Sequence, residues 1–559
     1  MSRIVLPRRS LWLLAGMLAV WGCGGAGGEG AARRSITAAD LAADIVILAS
    51  DEYEGRAPSS KGEELTVAFL KNEFEKLGLA PGNGDSYFQK VPLVALTSDP
   101  GSGMIVWGAG STTRLSSRTE YVAWTKRVTR RIELDRSDLV FVGYGIVAPE
   151  LDWNDYAGLD VKGKTVIMLV NDPGYATQDE ALFNGNAMTY YGRWTYKFAE
   201  AAQQGAEGAL IIHETGAAGY PWEVVRNSWT GPQFDLIAAD DNLSRCAVEG
   251  WVTEEVARDL FRTAGKDFDA LKAQAATPAF EALPMGLGIS LTLTNTIRRS
   301  VSLNVLGLLP GSQRPDEVLI YMAHWDHFGK DESLDGDQIY NGALDNATGI
   351  AGLLELAEAF TTLSKKPARS ILFLAVTAEE QGLLGSRHYA SQPVYPLAST
   401  VAALNLDGLN IYGPMRDVTI IGYGNSELDD YVAAAARKQG RVVRPDPSME
   451  KGYFYRSDHF SFAQQGVPAL FLDHGIDHKK HGAEWTRQQV DEYTAERYHK
   501  PADEFDPDWD LEGAVDDLEL LFTVGLRLGN QSDFPTWREG NEFRAIRDAM
   551  MESAVGGTE

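Results

Sequence analysis

The sequence predicts an α/β fold with a β-rich insertion, and two observations lead to that prediction. Apolar runs of strand length, residues 318–322, 370–376 and 401–406, alternate with segments whose apolar residues recur at helical spacing. Between residues 125 and 290 the pattern changes, and further strand-like runs occur there. At 559 residues the chain is long enough for two or three domains, and its 44% of hydrophobic residues suffice for ordinary cores.

Helices are predicted at both ends of the α/β domain. The first covers residues 37–44 and opens with Thr37, a residue type that caps helices, and the second covers residues 62–78 and ends in a glycine. A third is predicted over residues 350–360, after a glycine-flanked loop. The last, over residues 511–528, closes the domain.

The insertion is predicted to combine strands with a helix. Residues 137–147 and 162–170 have the composition of strands, and residues 197–213 that of a helix, a turn and a strand. Aromatic residues are dense in this part of the chain: Tyr190, Tyr191, Trp194, Tyr196, Trp222 and Trp229. We interpret them as an ordinary core with an aromatic rim, in preference to a platform for substrate.

Side chains that can bind a metal follow each of the three apolar runs. The candidates at these strand ends are His324, the pair Glu379 and Glu380, and Asp407, and two more candidates lie in loops, Asp345 and His499. Residues at the ends of buried strands commonly form functional sites. The adjacent carboxylates of Glu379 and Glu380 repel each other unless a cation or a proton holds them. The ordered set therefore predicts a metal site at the ends of these strands.

The residue types point to zinc. Zinc binds imidazole nitrogen and carboxylate oxygen, and a catalytic zinc ion lowers the pKa of its water toward about 7. A carboxylate such as Asp345 can bridge two ions that lie about 3.5–4 Å apart. We predict two Zn²⁺ ions with five ligands: His324, Asp345, Glu380, Asp407 and His499. Glu379 is then free to act as a base.

In these motifs the chain resembles the co-catalytic zinc aminopeptidases, a family that includes secreted bacterial aminopeptidases and the related glutamate carboxypeptidases. The matching motifs stand in the family's order: His324-Trp-Asp326, residues 341–346, Glu379-Glu380, residues 405–408 and residues 498–503. The resemblance implies a mixed central sheet flanked by helices and a protease-associated domain as the insertion. It divides the chain into the N-terminal part of the peptidase domain (36–124), the insertion (125–290), the catalytic zinc peptidase domain (291–535) and a C-terminal tail (536–559).

The resemblance also implies how the five ligands are shared. His324 and Asp407 would bind one zinc ion, and Glu380 and His499 would bind the other. Asp345 would bridge the two ions. The implied activity is the removal of amino acids from the N-termini of peptides by a metal-bridged hydroxide, so peptides are the expected substrates.

Three further residues match catalytic positions of the family. Glu379 matches the general base, which takes a proton from the bridging water and passes it to the leaving amine. Asp326 matches a carboxylate that orients the imidazole of His324. Tyr498 matches a position that can donate a hydrogen bond to the developing oxyanion.

Three alternatives stay open on the sequence alone. A carboxypeptidase of the glutamate-releasing type uses the same metal residues, and Arg456 and Lys451 lie in a loop where they could bind a C-terminal carboxylate. A glutaminyl cyclase on the same fold is a weaker alternative, because those enzymes work with a single zinc ion. A non-catalytic binding ectodomain is disfavoured, because every ligand position is filled.

We interpret the remaining histidines as residues that do not bind a metal. The predicted ligand set for two zinc ions is already complete without five of them: His327, His459, His474, His478 and His481. We expect residues 473–481 to form a solvated turn beside the cleft, in preference to an accessory metal loop. His213 is expected to be a polar residue at the end of a strand.

The N-terminus predicts export. Residues 1–22 combine three arginines with an apolar stretch, as signal peptides do. Residues 20–23 resemble a bacterial lipobox, so Cys23 is the expected lipidated residue and residues 23–35 are the expected flexible tether. The predicted location is a bacterial membrane surface that faces the periplasm or the cell exterior, with Cys23 as the attachment. No later apolar run reaches the length of about 20 residues that a membrane span requires.

Charge and cysteine usage narrow the function further. The formal net charge is −27, which argues against a nucleic-acid partner because phosphates would be repelled. The chain has two cysteines, Cys23 and Cys246, so a disulfide framework is not expected even in an exported protein.

Overall fold

The computed structural model describes residues 26–108 and 110–556, which form an α/β protein around a long mixed sheet. This confirms the predicted fold class, with a mixed central sheet flanked by helices. The predicted signal peptide and Cys23 lie outside the described residues. Within the described part of the chain, no helix is long and apolar enough to cross a membrane.

Three helices lead into the first long strand. They and the strands that follow are α1 (Ala26–Ser35), α2 (Ala38–Leu48), α3 (Lys61–Lys76), β1 (Ala80–Pro81) and β2 (Phe88–Asp99). The side chain of Thr37 accepts a hydrogen bond from the backbone N–H of Asp40, so the predicted capping role of Thr37 is confirmed. Helix α3 ends two residues before Gly78. Gly78 has a φ of +74°, which is not a right-handed helical conformation, so the helix cannot extend through it.

The inserted part is rich in strands and carries short helices. In chain order it contains β3 (Met104–Gly108), β4 (Ser111–Leu115), β5 (Tyr121–Trp124), β6 (Arg131–Phe141), β7 (Val147–Ala148), β8 (Trp153–Asn154), β9 (Thr165–Leu169), α4 (Pro173–Thr177), α5 (Trp194–Gln203), β10 (Gly208–His213), α6 (Thr215–Ala218), α7 (Trp222–Ser228), β11 (Gln233–Leu236), β12 (Val248–Thr253), α8 (Glu254–Thr263), α9 (Phe268–Ala275) and β13 (Leu283–Leu309). The strand predicted over residues 137–147 ends at Phe141, because Gly143 and Gly145 adopt positive φ in a turn.

The rest of the chain alternates strands with helices. Its elements are β14 (Arg314–His324), β15 (Gly329–Lys330), β16 (Ile339–Tyr340), α10 (Thr348–Thr362), β17 (Arg369–Val376), α11 (Leu384–Ser391), β18 (Thr400–Asn405), β19 (Asp417–Ile421), α12 (Leu428–Lys438), β20 (Val442–Pro445), α13 (His459–Ala463), β21 (Ala469–Asp473), α14 (Ala483–Glu496), α15 (Glu512–Asn530) and α16 (Arg544–Gly556). The three apolar runs of the sequence thus form β14, β17 and β18.

The central sheet places these three strands side by side. β14 lies between β17 and β18 and is parallel to both, and β21 is parallel to β18 on its other side. β13 pairs antiparallel with β17, and β2 pairs antiparallel with β13. The 27-residue strand β13 also pairs with β3 and β6, so it carries the sheet from the insertion into the α/β domain.

Apolar cores cover both faces of the central sheet. Alternate residues of β14 enter different cores, with Leu319 and Tyr321 on the face of α10 and α15, and Ile320 and Met322 on the face of α13. Strands buried on both faces have continuous apolar sequences, which explains the three apolar runs. A separate core fills the insertion and extends from Met104 to Leu293. Its identity as a protease-associated domain, and the boundaries at 125 and 290, stay predictions.

The predicted tether differs from the structure over its described residues. Residues 26–35 form helix α1, which packs against α10. Ala32 is fully buried, and the Arg33 guanidinium donates hydrogen bonds to the backbone oxygen of Glu519 and to Oγ1 of Thr523. The prediction of a flexible tether is therefore wrong for this part, because these contacts offset the cost of ordering the glycines.

The predicted C-terminal tail packs on the α/β domain over its described residues. Trp537 and Phe543 are buried, and the Trp537 indole donates a hydrogen bond to the backbone oxygen of Gly466. In α16, the Arg547 guanidinium donates to the backbone oxygens of Leu397 and Thr400. These side chains fix the tail to the α/β domain.

Candidate metal centre

The carboxyl ends of three parallel strands bring the predicted ligands together. His324 is the last residue of β14, Glu380 lies four residues after β17, and Asp407 lies two residues after β18. Because β14 is parallel to both neighbours, these ends meet at the same edge of the sheet. Asp345 reaches this edge from the Ala343–Ala347 turn before α10. His499 arrives from the loop after α14.

Asp345 contacts two separate pairs of side chains. His324 Nε2 lies 3.3 Å from Asp345 Oδ1 and 3.2 Å from Asp407 Oδ1. His499 Nε2 lies 3.3 Å from Asp345 Oδ2 and 3.4 Å from Glu380 Oε2. Each oxygen of the Asp345 carboxylate thus faces a different histidine. The structure brings all five predicted ligands together in two groups that share Asp345.

The pKa values describe a strongly charged, buried site. Burial would lower the pKa of His324, but Asp407 and Glu379 hold it well above its usual value. Burial raises the pKa of Glu379 and of Glu380 well above that of an exposed glutamate. Burial would also raise the pKa of Asp345, but hydrogen bonds with the two imidazoles hold it well below its usual value. Four carboxylates therefore share one buried space with two imidazoles.

This donor set fits divalent metal ions. Buried carboxylates at such distances are unfavourable unless protons or cations neutralise them. Two imidazole nitrogens with three carboxylates are the ligand types that zinc takes, and zinc requires those groups in their deprotonated forms. His324, Asp345 and Asp407 have ligand atoms within 4.8 Å of one another, which is close enough to hold one ion.

Residues 304–523 match the model of Peptidase family M28. The chain carries a peptidase family M28 domain. All five ligand candidates lie inside the matched residues, as do Asp326, Glu379 and Tyr498.

Named relatives share part of this M28 domain. The chain is 35% identical over 169 residues to Aminopeptidase NAALADL1 of Mus musculus, which covers 29% of this chain and 21% of that protein. It is 32% identical over 169 residues to a probable glutamate carboxypeptidase of Arthroderma benhamiae, covering 29% and 22% of the two chains. The chain thus spans about a fifth of the length of these curated relatives. Among solved structures, an aminopeptidase from Aneurinibacillus sp. strain AM-1 superposes with a TM-score of 0.49 at 20% identity, over 90% of this chain and 97% of that one.

Asp326 has a different set of contacts from the one predicted. The His324 Nδ1 atom lies 3.1 Å from the backbone oxygen of Asp326 and 3.9 Å from its carboxylate Oδ1. The carboxylate instead accepts a hydrogen bond from the backbone N–H of Glu379 at 3.0 Å. Asp326 therefore fixes the position of the loop that follows β17, and it also lies beside His324.

Tyr498 lies next to the second group of ligands. Its ring stacks on the His499 imidazole with a centroid distance of 3.8 Å, and 46% of the residue is exposed. Tyr498 therefore lies at the partly exposed edge of the ligand candidates. Its role toward an oxyanion stays a prediction.

His327 lies in the site, although it was not predicted to be a ligand. Its Nδ1 atom lies 2.5 Å from Glu380 Oε1, and its Nε2 atom is buried without a hydrogen-bond partner among the described residues. Burial lowers the pKa of His327 to about 4, so the ring is neutral and Nδ1 can donate to the carboxylate. With Asp345 and Glu380 it forms a second group of potential ligands. His327 thus contacts Glu380 and is itself a candidate ligand.

Carboxylates and hydroxyls around the ligands hold the M28 site in place. Asp503 accepts hydrogen bonds from the backbone N–H groups of Leu344 and Asp345. The Ser457 hydroxyl donates to Asp407 Oδ2 at 2.5 Å and accepts from Asn405. Ser457 thus contacts a ligand candidate directly.

Arg56 is buried next to the site and binds several backbone oxygens. It is 1% exposed, and its guanidinium donates to four backbone oxygens, those of Leu48, Trp325, Asn341 and Gly342. Two of these belong to the loop that leads to Asp345, and a third follows His324. Arg56 therefore ties the N-terminal helices to both ligand loops, a function that no sequence pattern singled out.

The other histidines lie apart from the groups of potential ligands. Within the described part of the chain, the groups of potential ligands include none of His474, His478 and His481. The rings of His478 and His481 stack on each other at 4.8 Å. His213 ends β10, and its Nε2 lies 3.0 Å from the backbone oxygen of Tyr220.

Proposed function

We propose that this protein is an exported zinc exopeptidase that removes amino acids from the N-termini of peptides. The observation that carries the proposal is the Asp345 carboxylate, whose two oxygens face the His324–Asp407 pair and the His499–Glu380 pair. A bridging carboxylate between two such pairs is the arrangement that aminopeptidases use for paired metal ions.

The ligands divide naturally between two zinc ions. His324 and Asp407 would hold one ion, Glu380 and His499 the other, and Asp345 both. When bound, zinc supplies Lewis-acid activation of the attacking water and of the scissile carbonyl. The buried carboxylates favour this occupancy because they lose an unfavourable mutual repulsion.

Glu379 would move the proton. It is adjacent to the ligand Glu380 and makes no ion pair of its own among the described residues, so its carboxylate is free for proton transfer. Glu379 takes a proton from the attacking water and delivers it to the leaving amine. Asp326 holds the Glu379 backbone during both transfers. Tyr498 would donate a hydrogen bond to the carbonyl oxygen as negative charge develops there.

The relative named as an aminopeptidase, which is 35% identical to this chain over 169 residues, favours the amino end of a peptide. The charges of Asp345, Glu379, Glu380 and Asp407 do not decide between the two ends, because two bound zinc ions would neutralise them. The related proteins are named as an aminopeptidase and as a probable glutamate carboxypeptidase, so the second activity is the principal alternative. For it, Arg456 is the better-placed cation, because Lys451 lies on an exposed turn.

We further propose that the protein acts outside the cytoplasm, anchored through Cys23. The support is the signal-peptide pattern of residues 1–22 and the lipobox resemblance of residues 20–23. Helix α1 begins at Ala26, three residues after Cys23, and packs on the M28 domain. The enzyme would then sit close to the membrane surface.

Blocking the substrate amine tests which end of the peptide reacts. We expect the zinc-loaded protein to cleave leucyl-glycine and to cleave N-acetyl-leucyl-glycine about 10- to 100-fold more slowly, because acetylation removes a charge-assisted interaction worth about 1.5–3 kcal/mol. The measurement is kcat/KM for both dipeptides, with free zinc as the control. Equal or faster cleavage of the acetylated dipeptide would indicate the carboxypeptidase, and no cleavage of either would contradict the exopeptidase proposal.

A further inference from the structure

The loop that carries Glu379 and Glu380 has an uncommon backbone conformation at both ends. Ala378 directly precedes this pair and has a φ of +54°, and Leu383, a few residues after it, has a φ of +60°. Residues other than glycine rarely adopt such left-handed angles, and they keep them only where surrounding contacts enforce them. The position of Glu379 therefore depends on the groups that pack against this loop.

A small apolar core encloses the start of the loop. Its members come from three parts of the chain: Val91 and Leu93 of β2, Ala378 and Leu384 of the loop and α11, and Phe234 and Leu236 of β11. Strand β11 belongs to the insertion and pairs antiparallel with β2, so that Leu236 lies opposite Leu93. Ala378 is fully buried in this core. The insertion thus supplies two of the side chains that hold the backbone next to Glu379.

Asp235 lies between those two side chains and adds an ionic contact. It is 5% exposed, and its Oδ1 atom accepts a hydrogen bond at 3.3 Å from Nη1 of Arg387 in α11. Its Oδ2 atom lies 3.1 Å from Nζ of Lys126, which also belongs to the insertion. Burial would raise the pKa of Asp235, but the charges of Lys126 and Arg387 hold it well below its usual value. Asp235 is therefore ionised at neutral pH, and its contact with Arg387 joins the insertion to α11.

Arg387 is in turn connected to the backbone of the loop. Its backbone N–H donates to the backbone oxygen of Leu383 at 2.9 Å, and its Nη1 atom lies 3.4 Å from that of Gly382. The backbone N–H groups of Gly382 and Leu383 both donate to the backbone oxygen of Glu379, at 2.8 and 2.9 Å. A continuous series of contacts thus leads from the Asp235 carboxylate to Glu379.

We propose that Asp235 is a positioning residue for catalysis, which holds the Glu379–Glu380 loop in place through Arg387. The inference rests on the proposed exopeptidase function, in which Glu379 moves the proton. A displacement of about 1 Å at a reacting group can lower the rate by about 100-fold, even when its cause lies away from the chemistry. The insertion thereby contributes to the chemical step itself, apart from any contact with substrate.

Removing the charge of Asp235 tests this role. We expect Asp235→Asn to lower kcat on leucyl-glycine by about 10- to 100-fold. KM should stay close to the wild-type value, because the substitution acts on the step after binding. The zinc content at saturating zinc should also be unchanged, because all five ligand candidates are still present. Glu207→Gln is the matched control: it breaks an ion pair with Arg127 inside the insertion and should keep the wild-type kcat.

Arg387→Gln and the double variant test whether Asp235 acts through Arg387. The Arg387 side chain is 33% exposed, so this variant should fold even if Asp235→Asn does not, and its kcat should fall over the same range. The double variant Asp235→Asn with Arg387→Gln should be no slower than the slower single variant, because both changes remove the same contact. All values of kcat are referred to the concentration of folded, zinc-loaded protein, measured by thermal unfolding and by bound zinc.

The outcomes separate the inference from the function on which it rests. Wild-type kcat in Arg387→Gln, or losses that multiply in the double variant, would overturn the positioning role and leave the exopeptidase proposal standing. A loss of activity that only follows the loss of folded, zinc-loaded protein would show a structural role and would also overturn it. No cleavage of leucyl-glycine by the zinc-loaded wild type would contradict the function itself.

Discussion

The Glu379→Gln variant is expected to keep its metal and to lose about 10²- to 10⁴-fold in kcat, the contribution that general base catalysis makes. Glutamine keeps the size and hydrogen-bonding shape of the side chain but cannot accept a proton at neutral pH. The backbone N–H of residue 379 still donates to Asp326, so the loop and the neighbouring ligand Glu380 stay in place. The measurement is steady-state kinetics on leucyl-glycine, together with the zinc content of the same sample.

A matched control is Glu484→Gln, which changes an exposed glutamate on α14 and should leave kcat unchanged. Near-normal turnover by Glu379→Gln would show that another group moves the proton. Loss of zinc from this variant would instead make Glu379 a ligand, and the division of roles between Glu379 and Glu380 would then be wrong.

The second large effect is expected for Asp345→Asn. Both oxygens of this carboxylate face a histidine, so the substitution weakens two ligand groups in one step. We expect zinc affinity to fall by more than about 100-fold, since loss of an outer partner of a ligand alone costs about 10- to 100-fold. Activity should fall in parallel when the variant is assayed at low free zinc.

Asp491→Asn is the control for this experiment, because Asp491 is exposed and pairs with Arg487 on the same helix. It should bind zinc as the wild type does. If Asp345→Asn retained two tightly bound zinc ions, the Asp345 carboxylate would not be the bridge.

Three of the five ligand candidates could be placed from the sequence because each follows a recognisable strand. Strands buried on both faces have continuous apolar sequences, and parallel strands end at a common edge, so His324, Glu380 and Asp407 had to converge. Asp345 and His499 were candidates by residue type, and only the family resemblance assigned them to particular ions. Their loops have no periodic pattern that would fix their positions.

Other parts of the site could not be predicted in this way. All the Arg56 contacts are with backbone oxygens, which every residue type provides, so its partners leave no trace in the sequence. His327 was set aside because the ligand count was already complete. The glycine-rich start of α1 suggested flexibility because composition does not show which surface a helix meets.

Zinc titration of the metal-free protein tests the central claim most directly. After metal removal with a chelator, activity on leucyl-glycine and bound zinc are measured as zinc is added back. The shared Asp345 carboxylate predicts no activity without metal and full activity when two equivalents are bound per chain. Full activity in the metal-free protein, or a plateau of activity at one equivalent, would contradict a two-zinc site.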